Sequence, residues 1–413
     1  MYYSVLQQAL TQLEIPWHIS VFIRSTRFLA IPETVLSPQI LLLNYLTIGA
    51  FVMINTMTMY SVGFIGLLLI RVRYKLALFP FTAMFLLFSF NGYIVAHLSL
   101  GHSMWNGYFL LPFFFLYLFE LIDTPSNPWP SVLKIALSLF AILLQGSYHI
   151  FVITLFFLGL FSLLNWRHFM HGSVAIGLSL LLSVGRLFPA MIAFQGNQFQ
   201  FGTGFPTIYD MFESLVTIRL NNFPSMIVIW GEYDMFIGLI ALGFLLYIGV
   251  YWRCLKKSAP PLTTYPCLDI PLFSMSLFCL NYFYFFINRL PIPLLNAERT
   301  PIRFFIIPLL LLIILSVIHL NKMLPSLYLS GKKKLFLGIC LLETGLTLMA
   351  HSRVWKVSEA EKFVPLNTHS LLIHICSQAG DDLYKTATIL GWSLSLCVLI
   401  AILVYLLFIP ARR

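Results

Sequence analysis

Residues 303–319 read RFFIIPLLLLIILSVIH, a run with no formal charge after its first arginine until Lys322. A helix that is apolar all round lies in a protein core or in a membrane. The rest of the chain decides between the two. Ten further apolar runs stand at 39–70, 76–95, 104–122, 132–147, 149–165, 173–194, 234–252, 270–287, 335–350 and 387–409. A membrane helix needs about 20 apolar residues, and most of these runs approach that length. Over the 413 residues, 59% are hydrophobic and only 10% charged, against about 25% charged in soluble domains. Mean hydropathy is +0.89. No water-soluble fold hides that much apolar surface, whereas a bilayer does. The fold class is therefore all-α, a polytopic transmembrane helical bundle of about eleven spans.

Charge supplies the orientation. With residues 1–38 outside, the inner segments are 71–75, 123–131, 166–172, 253–269, 320–334 and 410–413. With Lys134 and Glu120 at span ends, these short segments hold 14 of the 25 basic residues and three of the 15 acidic ones. The longer outer segments hold ten basic and eleven acidic residues. The formal charge of +10 thus reads as topology under the positive-inside rule, not as a nucleic-acid surface. All eight tryptophans fall near predicted span boundaries, in an aromatic-belt pattern. The N-terminus is expected outside and the C-terminus in the cytoplasm.

The organisation follows: an outer loop with an interfacial helix at 1–38, an N-terminal membrane bundle at 39–194, an outer loop with a second interfacial helix at 195–233, a C-terminal bundle at 234–350, an outer segment at 351–386, and the last span and tail at 387–413. Met1–Leu13 has no basic n-region or long apolar core, so it is not a signal peptide. Val5, Leu6, Ala9, Leu10 and Leu13 share one helical face, with Ser4 and Gln7 in capping-box spacing, which predicts a helix lying along the membrane surface. Asp210 and Glu213 give the same spacing in the middle outer segment. Gln145–His149 interrupts 132–165 and suits a hairpin. The six cysteines contain no CxxC pair, so neither a disulfide framework nor a zinc site is expected. No Walker A, GxGxxG, HExxH or GxSxG motif occurs.

Polar groups capable of chemistry gather on the predicted outer side. His97 and His102 flank Gly101, where a turn would bring them together, although a plain polar turn between two spans is the simpler reading. Glu232 and Asp234 stand at a span mouth. Two carboxylates there suit a general base or a divalent cation, while Asp234 also fits an N-cap of the following helix. Arg289, Arg299 and Arg303 cluster around Glu298 on the side where topology does not call for them. Planar guanidinium forks suit a phosphate or pyrophosphate, with snorkelling or pairing to Glu298 as the plainer account. Arg186 and Glu343 are the charges deep in spans, read as a structural ion pair or as a water-facing arginine.

On these residues the chain resembles the GT-C superfamily of polytopic membrane glycosyltransferases, especially its YfhO-type and dolichyl-phosphate-mannose-transferase-like bacterial members. Ile15–Leu43 (IPWHISVFIRSTRFLAIPETVLSPQILLL) looks like that group's first outer loop. Phe90–Pro112 (FNGYIVAHLSLGHSMWNGYFLLP) looks like its GH…P span pair. Glu232–Gly238 (EYDMFIG) and Arg299–Phe304 (RTPIRF) resemble two of its helix starts. The usual first span and its acidic motif have no counterpart here. The resemblance implies sugar transfer from a polyprenyl-phosphate donor to an acceptor at the outer face, in a bacterial inner membrane. It makes the first-loop acids Glu14 and Glu33 the nearest candidates for the base and Arg299 and Arg303 the phosphate clamp; Glu33 or Glu232 is then the expected base, with a divalent cation an optional helper. Membrane lipids are the other expected partners, with no resident cofactor. A transporter or flippase and a non-catalytic relative of the enzyme are the alternatives.

Overall fold

The computed structural model describes residues 2–21, 24–194, 204–218, 231–255, 265–287, 289, 300–324, 331–355, 373–376 and 380–408. Each of the eleven apolar runs contains helix among its described residues, although the run 234–252 becomes helical only from Leu239. Six helices among the described residues are long and apolar enough to cross a membrane, or seven if the pair Tyr148–Leu164 and Trp166–Leu182, bent by 117°, counts as one span. The chain is thus a multi-pass helical membrane protein.

Apolar character sorts the helices by depth in the bundle. In the helix Pro301–Met323, 89% of the most apolar stretch is buried in protein, against 17% in Gly331–Val354 and in Asp382–Phe408. The stretch that begins at Arg303 is therefore the central helix, and the other two lie at the surface of the bundle. The helix Ile48–Tyr74 shows the local logic well. Thr47 caps its start, accepting from the Ala50 amide at 3.4 Å. Arg71 and Arg73 stand in its last turn, where they favour the helix dipole and the aqueous boundary. Residues 39–47 precede the helix instead of belonging to the span, because Pro38–Asn44 winds as a 3-10 turn before the Thr47 cap.

The last helix crosses the helix Val184–Phe194 at a contact of small residues. A Cβ added at Gly391 would lie 3.0 Å from the Gly185 Cα, and one added at Gly185 would meet Trp392 atoms at 2.7–2.9 Å. The Gly185 amide also donates to the Ser395 hydroxyl at 3.1 Å. Close backbone approach of this kind carries helix association in a membrane. Gly185→Val is expected to cost about 1–3 kcal/mol by overpacking. Thermal unfolding in detergent checks this, and an unchanged midpoint would mean that the crossing is loose.

The segments that charge assigned to the outer side add an element that the helical reading did not anticipate. His18–Val21 (β1), Arg24–Arg27 (β2) and Ile373–Cys376 (β3) form an antiparallel sheet in the order β2-β1-β3. Asp381 locks it to the last helix, pairing with the His18 imidazole at 2.8 Å and the Arg27 guanidinium at 2.7 Å. The N-terminal helix Tyr2–Gln12 forms as expected. Part of its apolar face lies in protein, where Tyr3, Val5 and Leu6 pack with Ile19, Leu43 and Phe51, while Leu13 stays exposed. Gln7 donates to the Leu43 and Leu46 carbonyls at 3.0 Å each. The helix Ile208–Val216 also forms, but its capping box is Thr207 with Asp210, one turn earlier than the Asp210–Glu213 reading.

Polar contacts form within each of the two sets of segments that the charge count had distinguished. In one set, Tyr265 donates to Asp123 at 2.7 Å, Arg73 to Asp123 at 2.8 Å, Lys134 to Glu120 at 3.1 Å and Asn165 to the Cys267 carbonyl at 3.0 Å. All of these belong to or border segments assigned to the inner side. In the other set, Tyr3 donates to Ser103 at 2.9 Å, and the candidate residues of the outer segments meet.

Candidate functional site

Gly101 takes φ +77°, a conformation that L side chains avoid. This lets the chain reverse after the helix Gly92–Ser99, and the His102 amide donates to the His97 carbonyl at 3.0 Å. The two imidazoles meet Nδ1 to Nδ1 at 3.3 Å, so one ring donates and the other accepts. The 3-10 turn Ser103–Leu110 follows and buries Trp105, 2% exposed. Ser147, just before the helix Tyr148–Leu164, receives the Gly107 amide at 2.9 Å and donates to the Met104 carbonyl. That tie sets His149 beside Trp105. The rings of His97 and His149 lie nearly parallel to the indole, at 4.3 and 5.7 Å.

Glu232 comes from the segment before the helix Leu239–Phe244 and Arg303 from the start of the central helix. The guanidinium grips the carboxylate in bidentate fashion, Nε to Oε2 at 2.8 Å and Nη2 to Oε1 at 2.6 Å. Its Cζ also stands 5.1 Å from the Trp105 ring centroid, and His97 Nε2 lies 3.8 Å from Glu232 Oε2. Burial would raise the Glu232 pKa, but the Arg303 charge, helped by His97, outweighs it and holds the carboxyl down at about 2. Burial pushes the His102 imidazole below its ordinary value, against the pull of Glu232. On the far side of the cluster, Glu33 of the first outer segment faces His149 with Oε1 to Nε2 at 3.2 Å.

Five of the eight candidate residues thus share one site at one end of the bundle: Glu33, His97, His102, Glu232 and Arg303. Arg289 is exposed beyond the helix Asn281–Ile287. Arg299, with Glu298, lies outside the described residues. Asp234 departs most from expectation. It is neither a cap nor open to a substrate: the next helix, Leu239–Phe244, starts after Gly238, and Asp234 is 0% exposed. Its carboxyl meets His351 Nε2 at 2.8 Å, Trp355 Nε1 at 2.7 Å and the Phe236 amide at 3.1 Å. It fastens the turn behind Glu232 to the end of the helix Gly331–Val354. Among the described residues, no group of three or more His, Cys, Asp or Glu is arranged to hold a metal ion.

Sequence reasoning passed over His149 and His351. His149 had a usable signal, since it stands in the polar break QGSYH at the same membrane level as the other candidates. His351 had none, because its partner lies 117 residues away. Set against models of protein families, curated proteins and solved structures, the chain matches none.

Proposed function

We propose that this protein is a membrane glycosyltransferase that moves a sugar from a polyprenyl-phosphate donor to an acceptor at the extracytoplasmic face. In this reading the eleven helical runs all cross a bacterial inner membrane, with the basic end in the cytoplasm and the N-terminus outside. One observation carries the proposal: a carboxylate–imidazole dyad and a carboxylate–guanidinium pair, drawn from four distant segments, converge at the end of the bundle away from the basic loops.

The two pairs suit different tasks. A carboxyl held at about 2 is a weak base at neutral pH, so Glu232 is poorly matched to proton abstraction. His149, oriented by Glu33, is the better base. It takes the acceptor hydroxyl proton as the acceptor oxygen bonds to the anomeric carbon and the sugar–phosphate bond breaks. Polyprenyl phosphate departs with the electron pair, and Arg303 meets the charge that develops on it. Glu232 keeps the guanidinium fork oriented until the donor arrives.

The test is transfer by the purified protein in nanodiscs, supplied with polyprenyl-phospho-sugar. Glu33→Gln and His149→Ala are expected to lower kcat by about 10²–10⁴, the usual worth of a general base, with donor binding kept. The bidentate pair also suits a second reading, a non-catalytic relative in which Arg303 is satisfied internally. Absence of both transfer and donor binding in the unaltered protein would favour that reading and end the first.

A further inference from the structure

Arg186 is a cation buried to 1% exposure in the helix Val184–Phe194. It neither faces water nor pairs with Glu343, the two roles its depth suggested. Among the described residues no carboxylate lies within salt-bridge reach of it. Its guanidinium instead sits in a cage of carbonyls from one short stretch. Nη2 approaches Thr34 O at 2.7 Å, Pro32 O at 3.0 Å and Ile31 O at 3.2 Å, and Nη1 approaches Leu29 O at 3.5 Å.

A buried charge with no counter-ion is costly and needs dipoles to replace its water. Carbonyls of an irregular loop are equally costly to bury unpaired. The Ile31 carbonyl also accepts from the Thr34 amide and hydroxyl, at 3.2 and 2.8 Å, so the guanidinium adds a second tie to a turn already closed on itself and pins the stretch 29–34 to the bundle. Glu33 lies within that stretch, between two of the carbonyls held. The opposite side of the loop is also constrained. The Leu36 amide donates to Leu144 O at 2.9 Å, and a Cβ added at Gly146 would fall 2.4 Å from the Glu33 carbonyl oxygen. The loop is thus gripped between Arg186 and the 144–147 turn, and His149 is the ring that Glu33 then meets.

We infer that Arg186 is a positioning residue that sets Glu33 against His149 by caging the carbonyls on either side of it. This rests on the acid–base reading of that dyad, but its test needs no turnover. Diethyl pyrocarbonate labelling at fixed pH, read peptide by peptide by mass spectrometry, reports how free each imidazole is. In the unaltered protein His149 is engaged by Glu33 and 9% exposed. Arg186→Met is expected to raise His149 labelling several-fold, to the level seen in Glu33→Gln. His351, 1% exposed and held by Asp234, should stay at its original rate. Arg186→Lys keeps the charge with fewer donors and should fall between the two. It also serves if the methionine variant does not fold. Unchanged His149 labelling overturns the inference, and so does a parallel rise at His149 and His351, since either outcome reduces Arg186 to a general contributor to stability. A selective rise at His149 without any transfer activity in the unaltered protein would leave the positioning role intact and sink the glycosyltransferase reading alone.

Discussion

Asp234→Ala is expected to destabilise the protein by about 3–5 kcal/mol, the cost of removing one partner from a buried polar pair. The reason lies in what the substitution leaves behind. The carboxyl accepts from His351, Trp355 and the Phe236 amide, at 2.8, 2.7 and 3.1 Å. His351 and Trp355 are 1% and 8% exposed, so water cannot readily replace the lost acceptor. Each donor left unpaired costs about 1–3 kcal/mol. The ring of His351 is also stacked on Phe236 at 4.4 Å and 4°, which prevents it from swinging away to find another partner. Asp234→Asn keeps one acceptor oxygen and should recover part of the loss. Chemical unfolding in detergent measures both variants. A cost below about 1 kcal/mol for the alanine variant would mean that the three contacts carry no net weight, contrary to the usual behaviour of buried polar groups.

Arg303→Ala is expected to act on two properties at once. If donor phosphate sits on the guanidinium fork, its loss removes a charge-assisted bidentate contact of about 1.5–3 kcal/mol, roughly a ten- to hundredfold weaker donor affinity. Arg303→Lys retains a charge but not the fork and should restore only part of it. Titration of polyprenyl phosphate by tryptophan fluorescence or calorimetry reads this, and equal affinity in all three proteins would remove Arg303 from the donor site.

The second property is the pH dependence of stability, which needs no donor. Glu232 is held at about 2 in the folded protein, below its ordinary 4.5. A depressed carboxyl contributes stability that is fully present above 4.5 and is lost as pH falls towards 2. The contribution at neutral pH is on the order of 3 kcal/mol. In Arg303→Ala the depressing charge is gone while burial still favours the neutral acid. Stability should then stop falling between about pH 5 and pH 2 from this group. An unchanged acid limb in the variant would show that the pair does not set the Glu232 titration.

Much of the architecture was legible along the chain because the signals involved are local. Apolar runs such as 303–319 report their own transfer to a low-dielectric medium one residue at a time, and Lys and Arg report the aqueous edge they remain in. The same signals gathered Glu33, His97, His102, Glu232 and Arg303 at one membrane level, and the turn at Gly101 was visible from its glycine. What failed were inferences needing a partner. The apolar face of Tyr2–Gln12 reads the same whether lipid or Phe51 covers it. Asp234 at the mouth of a helix looks like a cap until His351 and Trp355 arrive from over a hundred residues away.

The amino-acid sequence by itself determined that this is a helical membrane protein with two chemically distinct ends, since hydropathy and charge act residue by residue and add along the chain. Only the tertiary structure decided which polar groups answer one another: Glu232 with Arg303, Glu33 with His149, Asp234 with His351, Arg186 with the loop carbonyls, and β1 with a strand more than 350 residues further on. Those pairings depend on which helices lie side by side, and packing between helices in lipid leaves no periodic mark in either partner alone.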